Sequence, residues 1–307
     1  MDELPCGFQS TYVQNDDVRL HVIHNAAGSD ERPALVFLHG FPEFWIAWRD
    51  VFKELASDYI IVAPDQRGFN LSDALEGIKP YQTRNMVSDL FAITNALIGS
   101  RPFCLFGHDW GASVAYAAAI ANPGRIERLV VANGVHPVCF QEALVDDPAQ
   151  RAASQYFHIL AAPDAAARMA ENDYARTFSM FEKFSSLPWV DDAIRAEYLD
   201  AWSQPGRLQA MLNWYAGSQI VVPKPNEAIE PPPLYGGDVS RFSVPMPHLL
   251  IWGAKDQALL PSSTKRLEVF AQKLTRHVLP DADHWLLHTH ALEITGIIRD
   301  YLAKPAG

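Results

Sequence analysis

The chain has 307 residues, 49% hydrophobic and 20% charged, with a formal net charge of −11. That composition is ordinary for a globular protein and excludes a disordered chain, while the length suits a main domain carrying an insertion. Acidic and basic residues are interspersed, without the clustered basic surface that a nucleic-acid partner requires.

Cys6, Cys104 and Cys139 are odd in number and lack paired spacing, so free thiols are expected rather than a disulfide framework or a thiolate zinc site. The first ten residues carry acids and a proline instead of a basic stretch followed by an apolar run, so no signal peptide is read there. No apolar run reaches the ~20 residues of a membrane span. The expectation is a soluble cytoplasmic protein.

In chain order, residues 18–23 and 34–39 read as strands, the second a nearly unbroken apolar run of the kind buried on both faces. Residues 45–55 have helical spacing, and 59–63 form another apolar run closed by Pro64. Strand, helix and strand then alternate again: 86–97 as a helix, 103–106 as a strand, 112–121 as an Ala-rich helix stopped by Asn122-Pro123-Gly124, and 126–132 as a strand. This alternation predicts a mostly parallel sheet flanked by helices. From about Gly134 the pattern turns helical, rich in Ala, Met and aromatics, through the Pro-rich stretch 223–233. Strand character returns at 248–252 and 277–279, before a final helix over 291–302. The expected division is a core domain of residues 1–133 and 242–307 and a helical cap of residues 134–241.

Gly107-His108-Asp109-Trp110-Gly111 lies between an apolar strand and the Ala-rich helix, the context of a nucleophile elbow. Such a turn holds its central side chain in a strained backbone conformation, and flanking glycines let strand and helix approach closely. A carboxylate there has a restricted chemistry. Attack on an ester carbonyl gives an anhydride that reverts, whereas attack on a saturated carbon bearing a leaving group gives a stable alkyl ester. Asp109 therefore argues against esterase, lipase and peptidase activity. The ester must then be hydrolysed by water, which needs a general base and a group orienting it.

Five motifs in order, His39-Gly40-Phe41-Pro42-Glu43 with Trp48-Arg49, Asp65-Gln66-Arg67-Gly68, the Asp109 elbow, Trp252-Gly253-Ala254-Lys255-Asp256, and Asp283-His284-Trp285, resemble the α/β-hydrolase superfamily along nearly the whole chain. The resemblance is to the branch containing epoxide hydrolases and haloalkane or haloacetate dehalogenases, closest to the former. It implies an α/β-hydrolase fold with an inserted helical cap. His284 follows the last strand and the acid in chain order and is expected as the base. Asp256, at the end of a strand, is expected to orient it. Some dehalogenases carry the acid one strand earlier, where this chain has Asn133; an amide cannot offset imidazolium charge, so Asp256 is preferred. His39 and His108 are read as structural, and His136, His158, His288 and His290 as lacking a partner motif.

By the same resemblance the backbone amides of Phe41 and Trp110 form the oxyanion hole. Two cap tyrosines would hold an epoxide oxygen: Tyr215 in Leu212-Asn213-Trp214-Tyr215, and Tyr156, followed seven residues later by Pro163. Phe41, Trp110, Phe157 and Trp214 are the expected pocket residues. The implied reaction converts a small apolar epoxide and water to a vicinal diol without cofactor or metal, in a monomer or homodimer with neither nucleic-acid nor membrane partner. Two alternatives stand beside it. A dehalogenase would use the same nucleophile with Trp110 as halide donor, although the chain has Phe41 where haloalkane dehalogenases place Asn, and Trp110 and Ser113 where fluoroacetate dehalogenases place arginines. A noncatalytic ligand-binding relative would have lost its triad, which this chain keeps.

Overall fold

Ala34–Leu38, Ala-Leu-Val-Phe-Leu, is buried at every position and forms strand β3, the middle of an eight-stranded sheet. The computed structural model describes residues 4–28, 30–185, 188–225 and 227–305; the first three residues of the N-terminal segment, residues 186, 187 and 226 of the expected cap, and residues 29, 306 and 307 lie outside the described residues. The other strands are β1 Gln9–Asn15, β2 Val18–His24, β4 Ile60–Pro64, β5 Phe103–His108, β6 Ile126–Ala132, β7 His248–Gly253 and β8 Leu274–Leu279, in sheet order β1-β2-β4-β3-β5-β6-β7-β8. The strands from β3 to β8 pair in parallel, while β1 and β2 form an antiparallel hairpin at one edge.

The strand order reverses at β3, which lies between β4 and β5. In open α/β sheets the crevice at such a switch, beyond the carboxyl ends of the strands, is where ligands bind. Here it separates the loop after β3 from the turn after β5.

The core helices are α1 Arg49–Phe52, α2 Thr83–Ile98 and α3 Trp110–Ala121. Residues 45–55 were expected as one helix; the chain instead makes a 3-10 turn at Trp45–Trp48 and the one-turn α1. Ile46, Trp48, Val51, Phe52 and Leu55 are all buried, so the helical spacing records a face turned to the core rather than a continuous hydrogen-bond ladder. The Trp48 indole donates to the Leu38 carbonyl at 3.0 Å, fixing this segment to the end of β3.

Between β6 and β7 the described elements are helices: α4 Pro137–Asp146, α5 Pro148–Ala153, α6 Tyr156–Leu160, α7 Ala165–Lys183, α8 Asp192–Ser203, α9 Arg207–Ala216 and α10 Val239–Phe242. Helix α7 is two segments across a kink, because Asn172, Asp173 and Tyr174 all have positive φ. The Asp191 carboxylate caps α8 by accepting from the Ile194 amide at 2.8 Å. Helices α8 and α9 are bound to core loops by indoles: Trp202 donates to the Pro42 carbonyl at 2.7 Å and Trp214 to the Arg67 carbonyl at 3.0 Å. After β7 come α11 Leu267–Phe270, α12 Leu286–Thr289 and α13 Ala291–Leu302.

No helix among the described residues is long and apolar enough to cross a membrane.

Candidate active site

Asp109 joins β5 to α3 with φ 50° and ψ −121°, the strained conformation expected of an elbow. Both flanking glycines are there for space. A Cβ at Gly107 would lie 2.7 Å from Ala112 Cα, and one at Gly111 would overlap the Leu38 carbonyl oxygen. The elbow thus places its carboxylate at the sheet crevice, facing the loop after β3. From that loop the Phe41 amide donates to Asp109 Oδ1 at 2.8 Å. The Trp110 amide opens α3, where helix geometry supplies no intrahelical acceptor.

The next strands along the sheet deliver the remaining groups. Asp256 follows β7, and His284 follows β8. The His284 Nδ1 lies 2.7 Å from Asp256 Oδ2, and its Nε2 lies 3.7 Å from Asp109 Oδ2, too long for a direct hydrogen bond. Asp256 is fixed in turn: its Oδ1 accepts from the amides of Ala258 and Leu259 at 2.7 and 2.9 Å, and its Oδ2 from Asn133 Nδ2 at 2.7 Å. Asn133, which follows β6 with φ 34°, also accepts from the Gly253 amide at 2.6 Å. The position weighed as an alternative acid therefore braces the acid that the structure brings to His284.

Burial pulls the His284 pKa down, but the charge of Asp256, its hydrogen bond, and the charges of Asp109 and Glu43 outweigh it and push the pKa up to about 9. The resting ring is an imidazolium held between carboxylates.

Glu43 is a participant that sequence reasoning passed over, although it stands in the His39–Glu43 motif. Its carboxylate is buried, accepting from the Tyr198 hydroxyl of α8 at 2.9 Å and lying 2.5 Å from His288 Nε2, while its other oxygen is 3.4 Å from His108 Nδ1. Burial alone would raise its pKa; the two histidines hold it far below the usual carboxylate range. His108 Nε2 faces the His284 carbonyl oxygen at 2.9 Å, so that nitrogen carries a proton. His288, read above as partnerless, thus belongs to a polar cluster directly behind the site. Its partner lies 245 positions away in the chain, beyond the reach of any local motif.

Tyr156 opens α6 and Tyr215 lies near the end of α9, with ring centroids 6.2 Å apart and nearly perpendicular. Burial, then the negative charge of Asp109, push both phenols well above the ordinary tyrosine value, so both remain proton donors. The Trp110 and Tyr215 rings meet edge-on, with centroids 5.1 Å apart.

A cavity of about 40 Å³ opens on Asp109, walled by Trp110, Phe140, Tyr156, Phe157, Ile220 and Leu259. Of the expected pocket residues it includes Trp110 and Phe157. Phe41 and Trp214 stand behind it: the Phe41 ring packs edge-on against Tyr215 at 5.2 Å, and the Trp214 indole is turned to Arg67. Phe140, Ile220 and Leu259 had no sequence mark beyond being apolar.

A larger cavity, about 360 Å³, lies by the β1–β2 edge and α8. It borders a hydrogen-bonded row of Ser10, His21 and Asp65, with Ser10 Oγ 2.8 Å from His21 Nε2 and His21 Nδ1 2.6 Å from Asp65. That serine sits in an extended edge strand rather than a strained turn, so we place the chemistry at Asp109.

Residues 33–291 match the family described as the α/β hydrolase fold. The chain is 33% identical over 307 residues to the AB hydrolase superfamily protein YfhM of Bacillus subtilis, covering 98% of this chain and 99% of that protein. It is 30% identical over 283 residues to human epoxide hydrolase 4, covering 90% of this chain and 74% of that one. Among solved structures, an epoxide hydrolase from hot-environment metagenomes superposes with a TM-score of 0.85 at 28% identity, over 97% of this chain and 99% of that one. The inhibitor complex of the Bacillus megaterium epoxide hydrolase gives 0.82 at 25% identity, over 96% and 100%.

Proposed function

The chain belongs to the α/β-hydrolase fold family, and from that premise we propose that it hydrolyses epoxides to vicinal diols through a covalent ester on Asp109. The observation that carries this reading is the pair of cap tyrosines, Tyr215 buried and Tyr156 half-buried, with ring centroids 6.2 Å apart and both near enough to Asp109 for its charge to raise their pKa. Halide departure needs only N–H dipoles; an epoxide oxygen needs a proton, and two phenols beside the nucleophile supply one. Relatives named epoxide hydrolases support the same choice.

In the first step Asp109 Oδ2 attacks a ring carbon, the carbon–oxygen bond breaks, and a tyrosine proton passes to the alkoxide. The resulting phenolate recovers its proton from the His284 imidazolium by way of solvent. Esterification has an electrostatic consequence. It removes the Asp109 charge that helps hold His284 at about 9, so His284 loses its proton more readily at the moment a base is required.

In the second step His284 takes a proton from water as the hydroxide adds to the ester carbonyl carbon. The oxyanion is held by the amides of Phe41 and Trp110, each such donor being worth roughly 10² to 10³ in rate. Collapse expels the diol alkoxide, which takes the proton from His284. The Asp109 carboxylic acid then returns its proton to His284, restoring the resting carboxylate–imidazolium pair. Asp256 is the orienting acid, with Asn133 positioning it, and residues 134–241 act as a cap that carries both tyrosines to the site.

The test is product analysis with a short terminal epoxide and, separately, a haloalkane and a haloacetate. Diol formation without halide release is the expected result. Halide release with no diol from the epoxide overturns the reading.

A further inference from the structure

The Ser10, His21 and Asp65 row takes no part in the Asp109 chemistry, yet it carries the groups of a nucleophile, a base and an orienting acid. Asp65 is buried, and its oxygens accept from the Trp45 amide at 3.1 Å and the Asn70 side-chain amide at 2.8 Å. A carboxylate has only acceptors to offer, so in the 2.6 Å contact with His21 Nδ1 the imidazole N–H donates. Nδ1 then carries the proton of the neutral ring, and Nε2 accepts from the Ser10 hydroxyl at 2.8 Å. In this tautomer a histidine can take a proton from a serine, and the carboxylate behind it stabilises the imidazolium that forms. The ring is also held in place: the His21 amide donates to Ser72 Oγ at 2.8 Å, and the Tyr12 ring centroid lies 5.3 Å from that of the imidazole. His21 and Asp65 are buried while Ser10 is exposed, so the row runs from the core to an accessible hydroxyl.

That hydroxyl lines the cavity of about 360 Å³, a size within the range of about 300 to 1,000 Å³ usual for small-molecule sites. Ile23, Phe44, Trp45 and Leu71 make the wall apolar and partly aromatic. Arg49 is the cation of the described lining and pairs with Glu197 of α8 at 2.7 Å. Such a space suits a neutral electrophile with an aromatic group and a polar carbonyl.

We propose that Ser10 is a second nucleophile, acylated by small aryl esters at a site separate from Asp109. Ser10 Oγ adds to the ester carbonyl carbon as its proton passes to His21 Nε2, and Arg49 offsets the charge on the carbonyl oxygen. The carbon–oxygen bond to the leaving group breaks, and the aryloxide takes the proton from His21. Water then adds to the acyl-serine, giving a proton to His21, and the carboxylic acid departs as Ser10 Oγ recovers that proton. Ser10 lies in the extended strand β1 rather than in an elbow, so the backbone adds no strain and the reaction is confined to esters with a leaving group as good as a phenol.

The test applies two probes to the purified chain: a fluorophosphonate, which phosphonylates a base-activated serine with loss of fluoride, and p-nitrophenyl acetate. Peptide mass spectrometry should place one label per chain on Ser10, and excess phenyl acetate should slow its attachment. Ser10→Ala should abolish the label and lower p-nitrophenol release by about 10² or more, with thermal denaturation as in the parent. His21→Gln should slow labelling of Ser10 by a similar factor, and both activities should persist in Asp109→Ala. A chain that takes no label, or takes it on another residue, overturns the proposal. Ester turnover that survives in Ser10→Ala or vanishes in Asp109→Ala also overturns it, by assigning the activity elsewhere. Labelling at the parental rate in folded His21→Gln contradicts activation by the histidine, and labelling that phenyl acetate leaves unchanged contradicts the aryl-ester class. None of these readouts uses an epoxide, so the proposal stands or falls apart from the reading at Asp109.

Discussion

Replacing Asp256 by asparagine removes one charge and leaves the shape of the site nearly intact. The remaining carbonyl oxygen can still accept from the Ala258 and Leu259 amides, but the new amide group meets Asn133 Nδ2, a donor now 2.7 Å from Asp256 Oδ2. An orphaned buried donor costs about 1–3 kcal/mol, so the variant should fold with reduced stability. The larger effect is on His284. Asp256 is the strongest of the influences that push its pKa to about 9, and without it burial prevails, taking the pKa down and freeing the ring to adopt the wrong tautomer. In a serine triad the equivalent loss of an orienting carboxylate costs about 10⁴ in kcat. Here it should fall on one step: ester hydrolysis slows by roughly 10³ to 10⁴, and attack by Asp109 by less than about tenfold. Rapid quenching followed by intact-mass measurement reads both, because the alkyl-enzyme adds the mass of the epoxide. The adduct should accumulate within one turnover and persist. Absence of the adduct, or equal slowing of both steps, refutes the assignment of Asp256.

Tyr215→Phe and Tyr156→Phe should each slow adduct formation by about 10² to 10³, by analogy with removal of one oxyanion donor, while hydrolysis of a preformed adduct is unchanged; the same rapid-quench assay separates the steps. Gly111→Ala forces a methyl group against the Leu38 carbonyl and should cost at least the ~1–3 kcal/mol typical of overpacking, read from urea denaturation, with activity lost as the elbow shifts. His284 is raised in the folded state from an ordinary 6.5 to about 9, so its stabilising contribution is fully present below pH 6.5 and is lost as pH rises toward 9. That window holds up to about 3 kcal/mol, and thermal denaturation of the parent should weaken across it while His284→Phe shows a flatter profile.

The parallel half of the sheet was legible in the sequence because β3, β5 and β6 are buried on both faces and therefore read as apolar runs. β1 was not, since Gln-Ser-Thr-Tyr-Val-Gln-Asn at an edge is mostly solvent-facing and carries little hydrophobic pattern. At the site, motif order placed Asp109, Asp256 and His284 in sequence, and the fold brings them within reach at the ends of β5, β7 and β8. What the sequence withheld was orientation. Trp214 sits beside Tyr215 in the chain, yet helical geometry turns its indole to Arg67 and away from the cavity. Asn133 and His288 acquire their roles only through partners 123 and 245 positions away, contacts that no local pattern encodes.

The central claim is that an oxygen of Asp109 enters the product. A single turnover in heavy-oxygen water (H₂¹⁸O), with enzyme in excess over a short terminal epoxide, should give a first diol carrying unlabelled oxygen at the attacked carbon and leave the label in the Asp109 carboxylate. Peptide mass spectrometry across residues 107–111 locates it. A first-turnover diol labelled from solvent, with Asp109 unlabelled, contradicts the covalent account.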